Sequence, residues 1–323
     1  MPDLVTITPI LIPDAGNALL PAIIDRAGEQ ARRRFIEFFT ANIRNKNTRL
    51  AYARAVGQFL SWCEGRGLAL DQIQPVVVAA YIEQHPASVA TVKQHLAAIR
   101  MLFDWLVVGQ VVPVNPASSV RGPKHVVENG KTPVLDADQA RALLDAIDTA
   151  TISGLRDRAI IGVMLYAFAR VSAVVRLTVE DYYPASKRWK LRLHEKGGKV
   201  RDLPVHHQAE VYLDAYLDTA DIRGERKSLL FRAVNSRREL TDRPMHRNHV
   251  TEMVKRRARQ AGLPADKLCS HTFRGTGITT FLRNGGQIET AQAIAGHASP
   301  RTTKLYDRRQ QQVELAEIER IRI

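Results

Sequence analysis

Residues that could act together on a phosphate ester recur towards the C-terminal end of the chain. His271 and Arg274 lie three apart in the run Ser-His-Thr-Phe-Arg, His297 follows in Ala-Gly-His, and Tyr306 comes nine residues after it. A guanidinium binds phosphate through a planar fork, a histidine moves protons near neutral pH, and a tyrosine can be a covalent nucleophile. The pattern predicts tyrosine attack on a phosphodiester. The alternative is a core histidine, a surface arginine and a packed tyrosine.

The charge of the chain narrows the choice of partner. Its 323 residues include 47 Lys or Arg and 33 Asp or Glu, a formal net charge of +14. Most of the excess lies in residues 131–323, with 34 basic and 23 acidic side chains, against 13 and 10 in residues 1–130. Such a balance favours an anionic partner, either nucleic acid or an anionic membrane surface.

The cysteines and the apolar runs bear on the compartment. Cys63 and Cys269 stand alone and far apart, so they form neither a disulfide framework nor a metal knuckle. The N-terminus lacks a basic region before an apolar run, and no apolar run reaches membrane-spanning length. We therefore expect a reduced, cytoplasmic protein with no membrane contact and no metal site, which favours nucleic acid as the anion.

Length and periodicity indicate two domains, the first of them helical. Residues 1–27, with four prolines, read as an irregular lead-in, and residues 28–112 carry apolar stripes at helical spacing. Ser88 can cap the last helix of this part, and glycines follow the second. Helical patterns are expected from about 29, at 47–64, at 76–84 and at 88–106.

A proline-rich and glycine-rich stretch at 113–133 is typical of a linker, and residues 134–323 form the second predicted domain. Its start, Asp136 to Gln139, resembles a capping box. A strongly apolar helix at 159–168 should be buried. Alternating residues then predict a β-hairpin around 189–205, and helices should follow at 207–218 and 246–261. We expect a mainly α fold with a small β-sheet.

Two further cations stand at defined places in this second domain. Arg170 comes where the buried helix ends, so its charge needs a partner or a ligand; a buried salt bridge and an anion site are both open. Lys196 lies at or just before the hairpin tip, where most lysines only keep a sheet edge soluble. Other cations could contact phosphates or form ordinary solvated faces. The candidates are Lys46, Arg49, Lys93, Arg100, Arg247 and Lys255, the last within the basic run 255–259.

The ordered set of candidate residues resembles the catalytic set of the tyrosine recombinase, or phage integrase-like, family. Tyr-Ala-Phe-Ala-Arg-Val-Ser is similar to the family's first arginine box, and Glu-Lys-Gly-Gly-Lys-Val-Arg to its hairpin lysine. Ser-His-Thr-Phe-Arg is similar to its His-x-x-Arg box, and Ala-Gly-His through Leu-Tyr to its final box. Residues 47–117 resemble its helical core-binding domain. The resemblance implies a SAM-like helical domain followed by a mixed α+β catalytic domain.

The resemblance also implies a mechanism. Tyr306 would attack double-stranded DNA at a specific site to give a 3′-phosphotyrosine and a free 5′-hydroxyl, without metal, ATP or another cofactor. Arg170 and Arg274 would bind the phosphate, and Lys196 would protonate the leaving oxygen. His271 would help to accept the tyrosine proton, and His297 would donate to the phosphate. A nucleoid-associated tetramer on two DNA sites is implied, with the apolar stripe of residues 312–323 docked in cis or on a neighbouring protomer.

Three positions depart from the family's pattern. An acidic residue often stands three after the first arginine, and here the residue is Ala173. Glycine often stands near that arginine, where this chain has Phe168 and Ala169. Many relatives carry a larger residue than Gly275 after Arg274. The missing carboxylate leaves open how the first arginine or its neighbouring histidine is oriented.

Three rival functions belong to other classes. A type IB topoisomerase-like enzyme would make the same cleavage but relax DNA without strand exchange. A non-catalytic DNA-binding protein would keep the fold without the chemistry, although the intact residue set argues against it. A metal-dependent transposase or nuclease would need a carboxylate triad, and the sequence offers no convincing one.

Overall fold

The computed structural model of the chain describes residues 20–124, 130, 132–195, 197–307 and 318–319. The chain divides into two compact units, Met1–Val126 and Val127–Ile323. The described part of the first unit contains helices and no strand. Its α-helices are α1 (Ala22–Arg26), α2 (Glu29–Glu37), α3 (Lys46–Glu64), α4 (Pro75–Gln84) and α5 (Val89–Val108).

Local side chains determine where two of these helices begin. Asn45 Oδ1 accepts hydrogen bonds from the main-chain nitrogens of Asn47 and Thr48 at 3.0 and 3.1 Å, so α3 begins slightly before the predicted start. Ser88 Oγ accepts from Thr91 N at 3.4 Å at the start of α5, as predicted. Each cap satisfies a main-chain donor that the first turn of a helix leaves without a partner.

Helices α3 and α5 form the centre of the first unit's core. Phe59, Leu60, Leu102 and Phe103 are fully buried, and the rings of Phe59 and Phe103 meet edge-on with centroids 6.4 Å apart. Burying one such side chain contributes about 1.5–3 kcal/mol. The pairing of these two helices is therefore a main source of the unit's stability.

The segment after α5 remains on this core beyond residue 112. Ala117 and Val120 are buried in the same cluster. Arg100 Nε donates to Ala117 O at 3.0 Å, and Asn115 Nδ2 donates to Arg100 O at 3.0 Å. The first part of the proline-rich stretch is thus held by specific polar contacts, which leave no periodic pattern in the sequence.

The second unit combines helices with two small antiparallel sheets. Its first helix begins in the predicted capping box: Asp136 Oδ1 accepts from Gln139 N at 2.8 Å, and Gln139 Oε1 accepts from Asp136 N at 3.1 Å. Its α-helices are α6 (Ala137–Asp145), α7 (Ile152–Tyr166), α8 (Val171–Val174), α9 (His207–Ala220), α10 (Arg247–Gln260), α11 (Ser270–Arg283), α12 (Ile288–Ala295) and α13 (Pro300–Lys304).

The predicted hairpin is part of a three-stranded sheet. Strand β2 (Arg188–His194) pairs with β1 (Tyr182–Ala185) on one side and with β3 (Val200–Pro204) on the other. Leu191 and Leu193 face the core from β2. A second sheet of β4 (Arg232–Val234) and β5 (Leu240–Pro244) was not predicted, because strands this short carry almost no alternating pattern.

Helix α7 is buried as predicted, and α11 packs closely across it. At Gly277 an added Cβ would lie 2.0 Å from the carbonyl oxygen of Leu165 and 2.9 Å from the ring of Phe168. Only a residue without a side chain allows this approach. The contact matters for function because α11 also carries His271 and Arg274.

The basic run of α10 is partly internal. Asp157 on α7 is fully buried, and its carboxylate accepts from Arg256 Nη2 at 3.0 Å and from Arg257 Nη2 at 2.7 Å. Arg156 Nη2 donates to the same carboxylate at 2.8 Å. A buried carboxylate requires such partners, which the sequence run alone could not reveal.

The mainly α fold with small β-sheets, predicted from the sequence, is confirmed. The helical N-terminal part and the mixed second part agree with that prediction. None of the described helices combines the length and the apolar content that crossing a membrane requires.

Replacing Gly277 should separate α7 from α11. Because the nearest atom is main chain, Gly277→Ala should lower the free energy of unfolding by about 3 kcal/mol, the upper end of typical overpacking costs. The matched helical control is Gly57→Ala, since an added Cβ there meets nothing within 4 Å. It should raise stability by about 0.5–1 kcal/mol. Urea unfolding measures both, and equal effects at the two sites would contradict the close packing.

Candidate active site

Arg274 lies at the centre of the candidate site, on the second turn of α11. Its side chain is 1% exposed. Its guanidinium donates from Nη1 to Phe168 O, and from Nη2 to Ala295 O at 2.6 Å. Among the described residues no carboxylate forms an ion pair with Arg274. Two hydrogen bonds thus hold a buried cation that has no direct counter-ion in the described part of the chain.

The turn that follows α7 supplies one of these carbonyls and places Arg170. Phe168 has φ +48°, in the left-handed region that a bulky residue rarely adopts. Its ring is buried against Ile278 and Leu282, and this packing offsets the cost of the conformation. Arg170 follows as the residue that caps α8. The left-handed turn therefore provides a carbonyl that accepts from Arg274 and also sets the position of Arg170.

Arg170 is paired with a residue of the β2–β3 hairpin. Its Nη1 lies 2.5 Å from Glu195 Oε2, and Arg201 Nη2 lies 2.7 Å from Glu195 Oε1. The Glu195 side chain is 6% exposed. Burial raises the pKa of this carboxyl, but hydrogen bonds from Arg201 and then Arg170 outweigh burial and hold the pKa below its usual range. Glu195 is consequently ionised at neutral pH.

The turn between β2 and β3 contains the position of the predicted lysine. Glu195 N donates to Lys199 O at 2.7 Å, and Gly197 and Gly198 have φ values of +79° and +76°. Glycine takes this conformation at no steric cost, which explains the tight turn. Lys196 itself lies outside the described residues.

The C-terminal end of α12 meets both Arg201 and Arg274. Arg201 Nη1 donates to Ile294 O and, at 3.3 Å, to Ala293 O, while Arg274 takes the next carbonyl. Cations are favourable at this end of a helix, where carbonyls lack partners. Gly296, with φ +59°, then ends the helix and turns the chain into His297.

His297 and Tyr306 form a stacked pair. Their ring centroids are 5.9 Å apart with an interplanar angle of 11°. Nδ1 of His297 and Oγ1 of the buried Thr303 are hydrogen bonded at 2.9 Å. That bond fixes the imidazole and leaves its other ring nitrogen for the site.

Tyr306 is half-buried, with its main chain anchored on both sides. Thr279 Oγ1 donates to Tyr306 O at 3.0 Å, and Gly130 N donates to Leu305 O at 3.1 Å. The Tyr306 ring lies over Gly275, where an added Cβ would come within 3.2 Å of it. The phenol hydroxyl forms no hydrogen bond within the described part of the chain.

The charges of the site act on both histidines. Desolvation by the surrounding protein lowers the pKa of His271, although part of the His271 side chain reaches the surface. The charges of Arg274 and then Arg170 lower this pKa further. Burial, then Arg274 and Arg170, lowers the pKa of His297 to about 4. Burial, followed by Arg170, lowers the pKa of Arg274 to about 10. At neutral pH the site therefore holds neutral histidines between charged guanidiniums.

The structure brings five of the six predicted catalytic candidates together, and the sixth, Lys196, lies outside the described residues. Three other residues of the site went unnoticed in the sequence. Glu195 and Arg201 bridge the hairpin to the rest of the site, and Thr303 orients His297. The hairpin motif contains the first two, but nothing in it signals their burial. Across the described ranges, no three His, Cys, Asp or Glu side chains gather as metal ligands.

The six candidates for DNA contact differ in their exposure and in their hydrogen bonds within the chain. Lys46, Lys93 and Arg247 are exposed, and Lys255 is half-buried beside Glu252 at 3.2 Å. Two arginines donate within their own unit: Arg49 Nη2 to Ile43 O at 2.8 Å, and Arg100 Nε to the segment after α5.

The depressed pKa of His297 predicts how stability depends on pH. The unfolded chain binds a proton near pH 6.5 that the folded chain accepts only near pH 4. Stability from this group is therefore complete above pH 6.5 and lost as the pH falls towards 4. The loss amounts to at most about 3 kcal/mol, since one pKa unit corresponds to roughly 1.4 kcal/mol. His297→Gln should show a shallower decline in urea unfolding between pH 7 and 4.5. Parallel curves for the two proteins would refute the assignment.

Comparison with known sequences places both halves of the chain. The sequence model of the Phage integrase family matches residues 133–312, more than half of the chain. The model described as "Phage integrase, N-terminal SAM-like domain" matches residues 34–109.

Solved structures share the fold. The post-cleavage complex of XerH site-specific recombinase bound to palindromic difH substrate aligns with a TM-score of 0.68 at 19% identity, covering 87% of this chain and 82% of that one. A lambda integrase dimer bound to a COC′ core site aligns with a TM-score of 0.64 at 18% identity, covering 92% and 80%. At these identities the likeness extends to the fold alone.

Curated relatives are more similar in sequence. Tyrosine recombinase XerD of Ralstonia nicotianae is 32% identical over 266 residues, covering 81% of this chain and 83% of the relative. Tyrosine recombinase XerC of Escherichia coli is 29% identical over 270 residues, covering 80% and 84%. The resemblance drawn from the sequence is therefore confirmed, and the chain belongs to the phage integrase family of tyrosine recombinases.

Proposed function

We propose that this chain is a site-specific DNA recombinase that cuts and rejoins DNA through a 3′-phosphotyrosine intermediate. The observation that carries the proposal is the buried guanidinium of Arg274, which has no carboxylate partner among the described residues and lies among Arg170, His297 and Tyr306. A cation in this state favours an anionic ligand, and a tyrosine ring stands beside it. Similarity to the Xer recombinases supports the same reaction.

The charges of the site fit a phosphodiester. Among the described residues of the site, the guanidiniums of Arg170, Arg201 and Arg274 and the carboxylate of Glu195 leave a net charge of +2 while the histidines are neutral. A diester carries one negative charge, and more charge develops on its oxygens as a fifth ligand approaches phosphorus. Arg170 and Arg274 stabilise that charge, and preorganised donors of this kind supply a large part of catalysis.

The bond changes balance without a cofactor. The Tyr306 oxygen forms a bond to phosphorus while the bond from phosphorus to the 5′ oxygen breaks. The phenol proton passes to His271, which is neutral and can accept it, and Lys196 gives a proton to the leaving 5′ oxygen. His297 donates to a phosphate oxygen. Reversal with a new 5′-hydroxyl rejoins the strand, so the phosphodiester energy is conserved and no ATP is consumed.

The remaining parts of the proposal concern DNA and assembly. Residues 28–112 act as the core-binding domain and residues 134–323 as the catalytic domain, with exposed Lys46, Lys93 and Arg247 on phosphates. Phosphate contacts set position and a few base contacts choose the site. Four protomers join two DNA sites in the cytoplasm. The tail that would link them, residues 312–323, lies outside the described residues except for 318–319.

The nucleophile can be tested by removing one atom. Tyr306→Phe keeps the ring stacked on His297 and loses only the attacking oxygen, so DNA binding should be unchanged and no covalent adduct should form. The DNA is a nicked duplex carrying the sequence that this variant selects from a randomised library. Denaturing gels detect the adduct, and Tyr212→Phe on α9 is the control that should still form it. An adduct in the Tyr306→Phe protein would sink the assignment.

The proposed acid can be tested through the leaving group. Lys196→Ala should cleave normal DNA roughly 10²–10⁴-fold more slowly, the range for general acid catalysis. A 5′-bridging sulfur leaves without protonation, so that substrate should restore much of the rate. Lys199→Ala changes an exposed lysine of the same hairpin and should keep the wild-type ratio of sulfur to oxygen rates. If sulfur brings no rescue to Lys196→Ala, the lysine is not the acid.

A further inference from the structure

The carboxylate of Glu195 lies between two arginines that belong to different parts of the site. Arg170 and Arg201 each bind one of its oxygens, at 2.5 and 2.7 Å, and its side chain is 6% exposed. With both oxygens occupied by guanidinium donors, the carboxylate has little freedom to turn. Charge-assisted bonds of this length are about twice as strong as neutral ones.

The carboxylate connects three segments that are distant in sequence. Arg170 stands between α7 and α8, and Glu195 directly follows β2 and precedes Lys196. Arg201 reaches from β3 to the last carbonyls of α12. The chain then turns at the end of α12 into His297. One side chain therefore links the first arginine, the hairpin and the segment that carries the second histidine.

Helix α8 offers no alternative partner for Arg170. The helix consists of Val171, Ser172, Ala173 and Val174, and Ala173 is 1% exposed in the core. Glu195 is the only ion-pair partner of Arg170 among the described residues. Without its carboxylate the guanidinium, which is about one-third exposed, would be free to swing towards solvent.

We propose that Glu195 is the positioning residue that holds Arg170 against the scissile phosphate, in place of a carboxylate on α8. The inference rests on the proposed function. Glu195 touches no reacting atom and acts through Arg170, so its loss should weaken charge stabilisation in the cleavage step and leave protonation of the leaving oxygen intact. Protonation of the leaving oxygen is the role of Lys196, the next residue in the sequence.

The test separates these two roles with one pair of substrates. Glu195→Gln keeps the volume of the side chain but loses its charge. It should slow single-turnover cleavage of the selected nicked duplex by roughly tenfold to a hundredfold, with DNA affinity unchanged. The slowing should be equal on the oxygen and 5′-bridging sulfur substrates, whereas Lys196→Ala is rescued by sulfur. Rescue of Glu195→Gln by sulfur would show that it acts on the lysine and overturn the proposal.

Controls keep each outcome informative. Asp202→Asn removes the exposed ion pair with Arg192 at 3.0 Å on the same hairpin and should cleave like the wild type. If Glu195→Gln fails to melt cooperatively, Glu195→Asp takes its place in the test. The aspartate keeps the charge but places it one bond further from Arg170. Cleavage by Glu195→Asp should likewise be slowed equally on both substrates. A Glu195 variant that cleaves at the wild-type rate refutes the positioning role alone. A wild-type protein that forms no adduct refutes the proposed function, and this inference with it.

Discussion

The constraint on which the site depends is the burial of the Arg274 guanidinium. A full charge is costly to bury unless its donors are satisfied, and here two main-chain carbonyls satisfy them. Those carbonyls come from Phe168, after α7, and from Ala295, at the end of α12. The fold must therefore bring three helices to one point, and the close approach of α11 at Gly277 makes the first contact possible.

This way of satisfying Arg274 has an electrostatic consequence. Carbonyl dipoles accept its hydrogen bonds but do not cancel its charge, so the charge acts on its neighbours. Burial is the largest cause that lowers the pKa values of His271 and His297, and the charges of Arg274 and Arg170 lower both further. A bound phosphate would reverse part of that effect. Without a bound phosphate the histidines are thus neutral, and a neutral imidazole can both donate and accept a proton.

The sequence allowed prediction where the physical cause is local. Caps at Ser88 and Asp136 and the apolar face of α7 were all visible in short windows, and so was the order of the arginine, histidine and tyrosine boxes. Burial of a polar residue depends instead on partners far away. Glu195 resembles a solvated turn residue until Arg170, 25 positions earlier, is placed beside it, and Arg257 resembles a surface cation until Asp157 is found beneath it.

Each of the three departures from the family's pattern has a local structural counterpart. Ala173 lacks a carboxylate, and Arg170 is paired with Glu195 of the hairpin. Phe168 takes a left-handed conformation that glycine would adopt more easily, and the burial of its ring against Ile278 offsets that cost. Gly275 leaves space on α11, and the ring of Tyr306 occupies it. A side chain at position 275 would press on both that ring and the side chain of Val134, so the position of the nucleophile and the smallness of this residue are physically linked.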